Sequence, residues 1–154
     1  MTALTIENPV FTTYLIASAI MVLKVMGQGW MTVHRMLKAR GGFASPEDLQ
    51  VGALNRRPDP SQLDANEYVD RSRRIHRNDL ENIPAFWAAG LVFVVVNPPL
   101  WLAQVLMYGF VAARLLHFLA YATKRPHEVR ATFYTIGSVI VIYMASHVLW
   151  VVLS

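Results

Sequence analysis

The chain has no cysteine at all. Disulfides and thiolate metal sites are therefore excluded, and any thiol chemistry has to arrive with a bound molecule. Charge is also scarce. Only 16% of the 154 residues are Asp, Glu, Lys or Arg, against 55% hydrophobic residues, and mean hydropathy is +0.35, a composition foreign to an ordinary soluble domain. The N-terminus lacks a basic leader, and its apolar run continues beyond signal-peptide length without a small-residue cleavage pattern, so it reads as a retained span. No internal repeat or low-complexity tract interrupts the chain. A net charge of +4 does not argue for nucleic acid, because the arginines sit between hydrophobic runs rather than on one basic face of a soluble fold.

What is present is a sequence of apolar runs with polar punctuation. Asn8-Pro9 offers a cap with proline in the first turn. The following run, broken only by Lys24, is long enough at about 1.5 Å per residue to cross a hydrocarbon core of about 30 Å. The pattern predicts an all-α chain with spans over about 9–36, 74–96, 100–123 and 129–153, and a polar loop over about 37–73. Gly41-Gly42 and a Ser45-Pro46-Glu47-Asp48 helix start punctuate that loop. From about Asp64 a helical pattern continues into the second span, where Pro84 is expected to kink it or free a carbonyl. Of the fourteen Lys and Arg residues, all but Lys24 and Arg114 fall in, or within a turn of, the connections after span one and after span three. The positive-inside rule then places loops one and three in the cytosol. The membrane is that of a bacterial cell or the endoplasmic reticulum.

Polar residues inside the spans are the candidates for function. As a helix, RRIHRNDLENIPAFW sets Arg74, Arg77, Asn78 and Glu81 at i, i+3, i+4 and i+7, on one face. Arg73, His76 and Asp79 point elsewhere and read as ordinary interface residues. An isolated arginine at this depth snorkels to the headgroups. An acid one to two turns into a span is costly unless it meets a cation, which favours an inward role for Glu81 and Asn78. In RLLHFLAY, Arg114, His117 and Tyr121 share a face at i, i+3 and i+7. In VRATFYT, Arg130 and Tyr134 share one at i and i+4. All three faces occupy the cytosolic ends of their spans, so they can converge. Together they offer cations, an acid, an amide and two phenols, a set suited to a small zwitterion with two carboxylates and one ammonium.

The run RIHRNDLENIPAF, with its proline one place early, together with FASPED, RLLHFLAY and Arg130, resembles the MAPEG family (membrane-associated proteins in eicosanoid and glutathione metabolism). It is most similar to the branch holding microsomal glutathione transferase and microsomal prostaglandin E synthase. The resemblance implies a left-handed integral membrane four-helix bundle, a homotrimer with glutathione bound between subunits near the cytosolic face. Carried over by motif, Arg74, Arg77, Asn78 and Glu81 hold the tripeptide's charged ends. His117, Tyr121 and Arg114 line the site, Arg130 is the catalytic cation beside the sulfur, and Tyr134 lies close by. Asp48 of the SPED segment matches an acidic position near the site, and Arg35 is a candidate for a contact across the subunit boundary. The segment from Met26 to Trp30 has no clean counterpart in the motif.

The implied activity is a membrane glutathione transferase acting on hydrophobic electrophiles, with glutathione-dependent reduction of lipid hydroperoxides and no metal. Prostaglandin E synthases carry a serine directly after the arginine where this chain has Ala131, which lowers the alternative of a glutathione-dependent endoperoxide isomerase. A third reading is a non-catalytic lipid-binding scaffold, which has no need of Arg130, Glu81 and Asn78. A small channel or transporter using Lys24 and Arg114 is an outsider, since such residues more often pair within bundles.

Overall fold

A computed structural model describes residues 3–154. Four long helices account for most of them: α1 Pro9–Ala39, α2 Glu67–Val95, α3 Leu100–Ala122 and α4 His127–Leu153. No strand occurs among the described residues. Helices α1, α3 and α4 are long and apolar enough to cross a membrane. The first four turns of α2 are rich in charge, and it does not meet that measure. A chain of this kind satisfies its backbone groups within its own helices, as hydrocarbon demands.

The helix ends follow local chemistry. The Asn8 side chain accepts the Val10 N–H at 3.0 Å, capping α1 as the Asn8-Pro9 pair suggests. Asn66 does the same for α2, accepting from Tyr68 at 3.1 Å, with Glu67 and Asp70 in the first turn where the helix dipole favours acids. Past the end of α3, Lys124 takes φ 58°, and the Arg125 N–H reaches the Ala120 carbonyl at 2.8 Å, closing the helix with a left-handed turn. Helix α2 continues through Pro84 without ending there, and the proline, having no N–H, leaves the Leu80 carbonyl without its helical donor.

Residues up to 24 and from 78 onward form one compact unit. Its core is read from the spacing of buried side chains: Val10, Tyr14, Ala17 and Met21 on α1, Ile83, Phe86, Ala89 and Phe93 on α2, and Ala103, Met107 and Phe110 on α3, steps of three and four throughout. Phe86 stacks on Phe110 with centroids 4.2 Å apart, worth about 0.5–1.5 kcal/mol beyond the area buried. Gly90 gives the Tyr14 ring its place. A Cβ there would lie 2.9 Å from the ring, which the bond from Tyr14 Oη to the Trp87 carbonyl holds in position. On α4 only Gly137 and Met144 are buried. Val139, Ile142 and Trp150 stand exposed, as suits side chains solvated by lipid.

Residues 25–77 form the second unit. Gln28 is buried and donates to the Ser72 hydroxyl at 2.7 Å, and the Thr32 hydroxyl joins the same oxygen at 2.9 Å. Gln28, the residue of the unmatched segment 26–30 that turns inward, is thus a packing residue of this unit. Gly42 has φ 69°, and a Cβ there would fall 2.9 Å from Asn66. Both the left-handed backbone and the close approach require glycine. The SPED segment forms one short 3-10 turn, Pro46–Leu49, and a second covers Pro60–Leu63. Asp59 caps the latter. The Ser61 hydroxyl and amide N–H bound to it hold its carboxyl below the usual carboxylate range.

Candidate functional site

Within the unit of residues 3–24 and 78–154, three helices bring most of the candidate residues together. Helix α2 supplies Asn78 and Glu81, α3 supplies Arg114, His117 and Tyr121, and α4 supplies Arg130 and Tyr134. The i, i+3, i+7 and i, i+4 spacings place them on converging faces. Tyr134 Oη donates to Glu81 Oε2 at 3.3 Å, and Asn78 Nδ2 reaches Tyr121 Oη at 3.5 Å, a long contact. The His117 ring meets Tyr121 edge-on at 5.0 Å and lies 6.3 Å from Tyr134. The Arg130 guanidinium sits 4.5 Å from the centre of the Tyr121 ring, a cation–π contact that positions it without neutralising it. Arg114 approaches Tyr134 in the same way at 6.0 Å.

One expectation is corrected. Asp79, read from the sequence as an interface residue, is fully buried. Its carboxylate pairs with Lys24 through one oxygen and with Arg114 through the other at 2.6 Å. The reason is electrostatic. Two cations placed inside apolar helices need an anion at the same depth, and Asp79 supplies it. The same Arg114 nitrogen lies 3.3 Å from His117 Nδ1. A guanidinium can only donate, so Nδ1 accepts and the imidazole proton stands on Nε2. The signal was available in the sequence: Lys24 and Arg114 lie deep within apolar runs, where a cation needs an acid at the same depth. Asn82 was also missed. It is buried, and its amide oxygen accepts from the Ser138 hydroxyl at 2.9 Å.

The remaining candidates belong to the unit of residues 25–77. Arg74 bonds Glu67 at 2.7 Å, and Arg77 is exposed on α2. Arg35 donates to the Tyr68 carbonyl at 3.1 Å and lies over the Tyr68 ring at 4.8 Å. Asp48, in the SPED turn, is exposed and accepts the Ser45 N–H at 3.3 Å. Arg73 spans Asp70 and the Gly42 carbonyl, fixing the glycine turn.

The chemistry left open is cationic. Arg114 Nε and Nη1 and Arg130 Nε are buried donors with no hydrogen-bond partner, and unmade bonds of this kind are expensive. Glu81, exposed and bonded through one oxygen to Tyr134, supplies the opposite charge for an ammonium. Among the described residues no group of three or more His, Asp or Glu gathers as it would for a metal ion.

The family model described as MAPEG matches residues 14–150. Microsomal glutathione S-transferase 1 of Sus scrofa is 33% identical over 143 residues, 93% of this chain and 91% of its own. The Bos taurus protein of the same name is 34% identical over the same shares. Prostaglandin E synthase of Macaca fascicularis is 30% identical over 149 residues, covering 96% of this chain and 93% of its own.

Proposed function

Because the chain belongs to the MAPEG family, we propose that it is a membrane glutathione transferase that holds the tripeptide as a thiolate and presents it to hydrophobic electrophiles. The observation that carries this reading is the pair of arginines, Arg114 and Arg130, whose buried donors have no protein partner beside a carboxylate, an amide and two phenols. Such a site is short of an anion. Glutathione brings two carboxylates, a thiol and an ammonium. Asn78, Glu81, His117, Tyr121 and Arg114 bind it.

A free thiol of pKa about 8.5 is only a few per cent ionised at neutral pH. The guanidinium of Arg130 favours the thiolate over the thiol. One unit of lowering corresponds to about 1.4 kcal/mol and raises the ionised fraction at neutral pH about eightfold. The thiolate then attacks an electrophilic carbon that has partitioned into the bilayer. A carbon–sulfur bond forms, and with an aryl halide the halide leaves with the bonding pair. With a lipid hydroperoxide, two glutathione molecules become the disulfide while the peroxide is reduced to alcohol and water.

The homotrimer with sites between subunits, four membrane spans and cytosolic loops one and three belong to this proposal. They are supported by the family and by the distribution of Lys and Arg. An endoperoxide isomerase is the second reading, favoured by the similarity to prostaglandin E synthases and opposed by Ala131 in place of the serine. A lipid-binding scaffold leaves the unpaired donor atoms of Arg114 and Arg130 without a purpose.

The test is the ultraviolet absorbance of the thiolate on adding glutathione to purified protein, followed by conjugation of an apolar aryl halide. We expect a thiolate signal at neutral pH. Arg130→Ala loses that signal and most turnover while largely keeping glutathione binding. Full turnover in Arg130→Ala would remove the role assigned to it, and turnover of an endoperoxide without conjugation would favour the isomerase.

A further inference from the structure

The unit of residues 25–77 holds a half-open cavity of about 350 Å³, which thiolate chemistry does not require. Leu37, Arg40, Phe43, Leu54, Arg56 and Arg57 are among its walls, and no Asp or Glu lines it. Among the described residues none of these three arginines joins an ion pair, although Arg71, Arg73 and Arg74 of the same unit all do. Three guanidinium groups around one cavity repel one another unless an anion sits between them.

The surroundings are apolar as well as basic. Leu37 belongs to the last turn of α1, a helix long and apolar enough to cross a membrane, which puts the cavity at the depth of the lipid headgroups. Leu54 is 75% exposed and Val51 79%, a pair of aliphatic side chains open to whatever borders the loop. The frame is preformed. Arg40 holds φ 49° where α1 ends, the Phe43 N–H binds the Gln62 carbonyl at 2.9 Å, and Asn55 Nδ2 binds Gln62 Oε1 at 2.7 Å.

We propose that this cavity binds the phosphate of an anionic phospholipid, with Arg40, Arg56 and Arg57 on the phosphate oxygens and Leu37, Phe43 and Leu54 against the glycerol and the first acyl carbons. Guanidinium forks match phosphate geometry, and clustered basic residues beside a membrane span attract anionic headgroups. The aliphatic wall selects the lipid over free phosphate, which gains nothing from it. The bound lipid fastens the loop to the membrane surface. The site is independent of glutathione.

The test is calorimetric titration of the full-length protein in neutral detergent with short-chain phosphatidylglycerol, short-chain phosphatidylcholine and inorganic phosphate. Each is run with and without saturating glutathione. Phosphatidylglycerol should bind saturably, one per chain, unaffected by glutathione and far more tightly than the other two. Arg56→Gln and Arg57→Gln should each weaken it about fivefold, and the double variant about 25-fold. Both lie on an exposed loop, and an unchanged melting profile confirms that the variants fold. Leu54→Ser should weaken phosphatidylglycerol and leave phosphate alone. Phosphate binding as tightly as phosphatidylglycerol, competition by glutathione, or full phosphatidylglycerol affinity in the double variant would each overturn the proposal.

Discussion

Replacing Asp79 should damage this protein far more than replacing Lys24, one of its two partners. Lys24, Asp79 and Arg114 form a buried group of two cations and one anion, with side-chain exposures of 8%, 0% and 0%. At an effective dielectric of about 20, unit charges about 4 Å apart interact by about 4 kcal/mol. Asp79→Asn removes two such attractions and leaves two cations facing each other in a site closed to water. Part of the loss is recovered if Lys24 gives up its proton, so the expected net cost is about 3–5 kcal/mol, the range for breaking a buried pair. Lys24→Met does the opposite. It leaves Asp79 and Arg114 as a neutral pair and fills the space with an apolar side chain of similar length, at an expected cost of about 1 kcal/mol. Thermal unfolding in detergent, followed by intrinsic tryptophan fluorescence, should show a fall in Tm of roughly 10 °C for Asp79→Asn and a few degrees for Lys24→Met. Equal destabilisation by the two variants would refute the charge argument. Because the Arg114 nitrogen that meets Asp79 also touches His117, Asp79→Asn should weaken glutathione binding as well.

Further outcomes follow from the same geometry. Glu81→Ala should raise the KM for glutathione about tenfold or more with a smaller effect on kcat, the loss of a charge-assisted bond worth about 1.5–3 kcal/mol; a fall in kcat alone would make Glu81 part of the chemistry. Gly90→Ala forces a Cβ to 2.9 Å from the Tyr14 ring, and should lower stability by about 1–3 kcal/mol, with Tyr14→Phe/Gly90→Ala recovering part of it as the ring is released from the Trp87 carbonyl. If the double variant is no more stable than Gly90→Ala, that clash is not the cause. In the pH profile of conjugation the active form is the deprotonated thiol, so the rate should rise with pH and level off below the ordinary thiol range near 8.5. Arg130→Ala should move that rise to higher pH, and an unmoved profile would contradict thiolate stabilisation by the arginine.

The all-helical architecture was legible from the chain alone. Predominantly apolar runs of more than about 20 residues, bounded by Asn8-Pro9, Pro98-Pro99 and Pro126, dictate helices, because a helix satisfies every backbone group within one segment and a barrel strand needs only about ten alternating residues. Helix spacing also sufficed to put Arg114, His117 and Tyr121 on one face and Arg130 and Tyr134 on another, since i, i+3, i+4 and i+7 are local geometry. Boundaries were legible to within a few residues. Helix α1 runs on to Ala39 and α2 starts at Glu67, against about 36 and about 64 read from the pattern, because caps and left-handed turns, rather than loss of hydropathy, end a helix.

Partnership between helices was decided by tertiary structure alone. Asp79 occupies a face apart from the stripe of Arg74, Arg77, Asn78 and Glu81, and nothing in local periodicity links it to Lys24, 55 residues away, or to Arg114, 35 away. The same holds for Tyr134 on Glu81 and Ser138 on Asn82, and for the arginines around the loop cavity. A sequence fixes which side of a helix a charge emerges from. Which opposite charge it meets depends on how helices pack, and that is a sum of many weak side-chain contacts that no single stretch of chain contains.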